Sequence, residues 1–168
     1  MENIVCTLIE CKKIITEKPH KEMYPDKRSP VVLRNDFKCK SEDGRYIFSV
    51  FMRKSIEMES IFSIGLKIDS IIQNDGNKEN IDMIIFRCNH KQEHTNHIAN
   101  NERFNDYHIH VLEDFQFLQR NDKQLDAKPT NAYNNYYAAL YHFLITCNIS
   151  GYENYFPEAR QLSLKECD

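Results

Sequence analysis

The sequence predicts an α+β domain: an antiparallel β-meander of about five strands, with an N-terminal helix and a long C-terminal helix packed on one face. Three observations carry this expectation. Apolar residues alternate with period two across much of the stretch from Val31 to Leu112, and apolar residues at helical spacing flank that stretch on both sides. A chain of 168 residues with 41% hydrophobic content suits one core, and so a single domain over 1–168.

Taken in order, Ile4, Val5, Leu8, Ile9 and Ile15 fall at helical spacing and predict a first helix over residues 2–17. Pro19, Pro25 and Pro30 then interrupt a polar segment, because proline lacks a backbone donor and disfavours helix at the residue before it. That segment reads as a solvated connector. Strands are expected at Val31–Lys40, Arg45–Arg53, Ser60–Ile68, Ile81–Asn89 and Asp106–Leu112. The breaks at Glu42-Asp43-Gly44 and Asn74-Asp75-Gly76-Asn77 are turn chemistry that makes neighbouring strands antiparallel. Between the fourth and fifth strands, His90–Asn105 reads as a long polar loop of the kind that carries function. The segment from Glu113 to Pro129 is open between a short helix and a loop. Thr130 then reads as the N-cap of the last helix, with Tyr136, Ala139, Leu140, Phe143, Leu144 and Cys147 forming its apolar stripe. The tyrosines at 133, 136, 137 and 141 read as core and rim rather than as a stacking surface.

Composition excludes several classes. A net charge of −3 lacks the basic signature of a protein that coats nucleic acid. The six cysteines show no paired spacing, so they read as reduced, mostly buried thiols rather than as a zinc ribbon or disulfide frame. Charged residues interrupt the N-terminal apolar run, no stretch has the length of a membrane span, and a cytoplasmic location is expected. There is no glycine-rich phosphate loop and no Ser-His-Asp pattern.

The chemistry concentrates between Arg87 and Leu112, where five of the seven histidines lie: His90, His94, His97, His108 and His110. Side chains alternate along a strand, so His108 and His110 share one face. Arg87 and Asn89 at the end of the preceding strand, with His94 and Asn96 from the loop, could reach the same area. Three uses compete. Two histidines could act as general acid and base on a phosphodiester while Arg87 stabilises the developing charge. The His-x-His pair plus a loop histidine could instead ligate a divalent metal, although the loop spacing does not favour it. In the third use the histidines are structural and the protein works by binding a partner.

The order Arg87-Cys88-Asn89, His94-Thr95-Asn96, His108-Ile109-His110 and Cys147-Asn148-Ile149 resembles that of an uncharacterised bacterial and phage family of unknown function. The strand Phe48–Lys54 shares in the resemblance, while Glu93 stands where the family has proline. The resemblance implies a compact bacterial or phage protein and points to His94, Asn96, His108 and His110; it implies no activity.

The expected function is a metal-independent, RNA-directed phosphodiesterase of ribonuclease type, such as the toxin of a toxin–antitoxin or phage-defence module. His94, His108, His110, Arg87 and Asn96 would carry it, with no cofactor and less than stoichiometric metal. RNA or a protein partner (an antitoxin or a defence complex) would be bound, and no membrane. The alternative is a non-enzymatic binding protein, such as a phage-encoded inhibitor of a host defence complex.

Overall fold

The computed structural model describes residues 3–98, 100–123 and 126–159. Among them, nine strands join one strongly curled mixed sheet with only short helices. The chain opens with helix α1 (Ile4–Glu10), followed by strands β1 (Lys13–Glu17), β2 (Tyr24–Pro25), β3 (Val32–Ser41), β4 (Tyr46–Ser55), β5 (Phe62–Ile72), β6 (Lys78–Asn96) and β7 (Glu102–Val111). Helix α2 (Asp114–Leu118), strand β8 (Ala127–Pro129), helix α3 (Tyr136–Thr146), strand β9 (Ile149–Ser150) and a 3₁₀ turn at Tyr152–Asn154 complete it. The sheet order is β8-β7-β6-β5-β4-β3-β1-β9, with β2 beside β3; β9 runs parallel to β1 and the other pairs are antiparallel.

The sheet corrects the expected architecture. The five expected strand segments each overlap one of the strands β3 to β7, but four further strands extend the sheet beyond a five-stranded meander. The first helix stops at Glu10 instead of running to residue 17, because Lys13–Glu17 pairs with β3. The C-terminal helix is not long: it has eleven residues and starts after Asn135, whose side chain accepts from the Ala138 amide. Thr130 cannot be its cap, since Ala127–Pro129 adds to the sheet edge and the Thr130 amide donates to the Tyr107 carbonyl.

The core lies between the sheet and α3. Phe48, Val50 and Met52 on β4, Ile64, Leu66 and Ile68 on β5, and Phe86 and Cys88 on β6 are buried together with Ala139, Leu140, Phe143 and Leu144 of α3. Burial pushes the Cys39 thiol up to about 12 and raises those of Cys88 and Cys147 well above the ordinary thiol range, so these thiols stay protonated and inert. Lys13 is fully enclosed, and no ion pair of Lys13 occurs among the described residues. Its ammonium donates to the carbonyls of Ile9 (2.6 Å), Cys11 (2.9 Å) and Cys147 (2.8 Å). Those carbonyls lie where α1 and α3 end, so one cation satisfies acceptors that both helices leave open. No helix among the described residues is long and apolar enough to cross a membrane.

Candidate metal centre

The candidate residues lie on the sheet face turned away from α3. Phe86 stacks towards Phe143 of α3, with ring centroids 5.9 Å apart, so its neighbour Arg87 points to the opposite side. Across the ladder Arg87 pairs with His110 and Asn89 with His108, which puts all four side chains on one face.

His94 and Asn96 reach that face through a β-bulge. The β6–β7 register runs Asn89↔His108 and then Gln92↔Asp106, so β6 carries one residue more than β7 between these pairs. An extra residue shifts the phase of a strand by one. Odd-numbered Arg87 and Asn89 and even-numbered His94 and Asn96 therefore share a side. In a regular ladder the second pair would point the other way.

The ribbon also folds back on itself. His94 pairs with Phe104, six residues along β7 from His110, and extended strand would put that separation at about 20 Å. The His94 and His110 ring centroids lie 4.8 Å apart instead. His108 completes the group, 5.2 Å from His94 and 5.0 Å from His110, with Phe104 edge-on to it. Asn96 holds the fold-back shut: it accepts from the Ala127 amide and donates to the Ala127 carbonyl, both at 2.8 Å. Ala127 is the β8 residue paired with His110, so the tip of β6 docks on the sheet edge next to the histidines. The region expected as the loop His90–Asn105 is thus mostly strand, closed by a short turn.

The hydrogen bonds assign a tautomer to His108. Its Nδ1–H donates to the Asp106 carbonyl at 2.9 Å, leaving Nε2 as a lone pair that Asn89 Nδ2 approaches at 3.5 Å. Asn89 is oriented in turn by Ser63, whose hydroxyl donates to its Oδ1 at 2.8 Å. The Tyr133 hydroxyl, reaching from the helix side, bonds the Asn89 and His108 carbonyls at 2.9 and 2.8 Å, beside the bulge where the ladder is broken. Burial lowers the pKa of His108, and that of His94 against the opposing hydrogen bond to Asn96. Both imidazoles are held towards the neutral form.

His108 and His110 are enclosed, at 0% and 2% exposure, and His94 is partly buried. The ring nitrogens of the three lie within 4.8 Å of one another, and His94 Nε2 is enclosed with no hydrogen-bond partner. Arg87 is partly buried, and its Nε is likewise enclosed without a partner. Burial lowers its pKa, with Asp122 acting in the opposite sense. The other two histidines of the stretch stand apart. His90 faces Phe62 and bonds its carbonyl at 2.8 Å, while His97 is exposed in the turn after β6. The larger surface grooves, of about 560 and 530 Å³, lie elsewhere: one between α3 and the strands β3 and β4, the other beside α1 and the turn from β3 to β4.

All five expected site residues therefore converge: His94, His108 and His110 form the cluster, Arg87 flanks it and Asn96 clamps it. Sequence reasoning did not find the Asp106 carbonyl or Phe104. Comparison with known proteins finds no matching family model, no matching curated protein and no matching solved structure.

Proposed function

We propose that this protein is a metalloprotein whose working centre is a divalent transition-metal ion of the zinc class held by His94, His108 and His110. The observation that carries this reading is the convergence of three imidazole nitrogens within 4.8 Å of one another. Tetrahedral zinc with bonds of about 2.0–2.1 Å spaces its ligand atoms roughly 3.4 Å apart, so modest side-chain rotations complete the set. Imidazole binds metal in its neutral form and is best oriented when its other nitrogen is hydrogen-bonded, as His108 is to the Asp106 carbonyl. Three histidines leave a fourth position for water, the ligand count of hydrolytic zinc centres.

This reading departs from the metal-independent one that the sequence suggested. General acid–base catalysis by His108 and His110 requires both rings themselves to touch substrate, and both are enclosed, whereas a ligand need only reach an ion shared with the partly buried His94. One observation still favours an RNA-directed phosphodiesterase on the same residues: Arg87, cross-strand from His110, has the charge to stabilise a phosphorane.

Elemental analysis separates the two. Protein purified without chelator, loaded with zinc and dialysed should keep one ion per chain, and His108→Ala or His110→Ala should lose it. Sub-stoichiometric metal in the loaded wild type, together with RNA cleavage in excess chelator, would support the metal-independent reading instead.

A further inference from the structure

We infer that Arg87 makes the histidine centre a site for a phosphate-class oxyanion, held jointly by the guanidinium and by the divalent ion. The inference rests on the metal reading and adds to it the chemical class of the fourth ligand.

The argument is one of charge. The candidate ligands are three imidazoles, and a neutral imidazole brings no negative charge to a divalent cation. Arg87 stands directly across the ladder from His110, at the distance of adjacent side chains on one sheet face. Its Nε is enclosed and lacks a hydrogen-bond partner, and no ion pair of Arg87 occurs among the described residues. Asp122, which acts on Arg87, and Asp126, which acts on His94, accept from the Ile84 amide at 2.9 Å and the Ile98 amide at 3.1 Å, and neither forms an ion pair with Arg87. A metal ion here would thus add two positive charges beside a third, in surroundings poorer in water than the surface. Two cations at such a separation repel unless an anion lies between them.

The guanidinium selects which anion. Its planar fork matches two oxygens of a phosphate or carboxylate. A tetrahedral oxyanion has further oxygens, so it can give one to the metal while keeping two on the arginine; a carboxylate must share one oxygen between the metal and the fork. Coupling of this kind is reciprocal: phosphate must tighten the metal by the same factor as the metal tightens phosphate.

Cobalt(II) titration of the metal-free protein, followed by its visible absorption, tests this without an activity assay. Inorganic phosphate, kept low enough to leave cobalt soluble, should tighten cobalt binding on the order of tenfold. Acetate and chloride should not. A dinucleoside phosphodiester producing the same shift would assign the phosphate to nucleic acid, and a shift with inorganic phosphate alone would assign it to free phosphate. Arg87→Gln should bind cobalt more tightly than wild type when no phosphate is present, since the repulsion is gone, and should lose the phosphate effect. Should Arg87→Gln fail to fold, Arg87→Lys, which keeps the charge without the fork, and the wild-type titration decide. Cobalt bound at the histidines but indifferent to phosphate, or tightened equally by acetate, overturns the anion inference and leaves the metal reading standing. Absence of cobalt bands under every condition overturns both.

Discussion

Asn96 and Ala127 exchange two hydrogen bonds of 2.8 Å, one in each direction, so an asparagine side chain does for strand β8 what a neighbouring strand would do. Both residues are buried. The clasp covers backbone groups on a sheet edge, and it docks the tip of a long hairpin beside the residue paired with His110.

Replacing Asn96 with alanine leaves the Ala127 amide and carbonyl buried and unsatisfied, a loss of roughly 2–4 kcal/mol. Denaturant unfolding of Asn96→Ala should show this, and hydrogen exchange should increase in β8 and the distal half of β6. Unchanged stability would mean that the clasp is incidental.

The histidines make the metal-free protein acid-sensitive. An unfolded histidine takes up its proton near pH 6.5, whereas His94 and His108 in the fold do so only at lower pH. Between those limits the unfolded chain binds more protons, so stability is complete above about pH 6.5 and falls as the pH drops through the window below it. Thermal unfolding from pH 8 to pH 5 should show the decline, and it should be shallower in His108→Gln. A wild-type profile that is flat over that range would contradict the enclosure of the two rings.

Much of the strand pattern was legible in the sequence because alternation and turn residues are local signals. Phe48, Val50 and Met52 announced β4 directly, and Gly44 marked the turn before it. What was not legible depends on partners distant in the chain. Lys13 reads as a polar residue in a helical stretch, yet it is a buried cap whose third acceptor is Cys147. Ala127–Pro129 reads as part of a segment open between a short helix and a loop, because nothing local reveals that β7 has a free edge. At the site, the shared face of His108 and His110 followed from period two, whereas the arrival of His94 required a bulge that no local pattern reveals.

Only three of the five clustered histidines should matter for metal. His94→Ala, His108→Ala and His110→Ala should each weaken zinc binding by at least tenfold, while His90→Ala and His97→Ala should not; isothermal titration of the metal-free variants measures this. Equal losses across all five would point to general destabilisation rather than ligation.

Lys13→Met removes a buried cation and strands three carbonyls at once. Hydrogen bonds from a charged group contribute about 1.5–3 kcal/mol each, and the cost of burying the ammonium offsets part of their sum. A net loss of at least about 3 kcal/mol is expected in denaturant unfolding. A variant as stable as wild type would show that desolvation had cancelled the three bonds.

The same logic gives one last handle, on chain length rather than chemistry. Deleting Lys91, between Asn89 and Gln92, would remove the surplus residue of β6 and restore a regular ladder. Every side chain of the site would remain, yet His94 and Asn96 would turn to the helix side while Arg87 stayed behind. The centre is therefore encoded partly as a count: one residue works as a frame marker, and a histidine means a ligand or a misfit according to whether the strand before it runs odd or even.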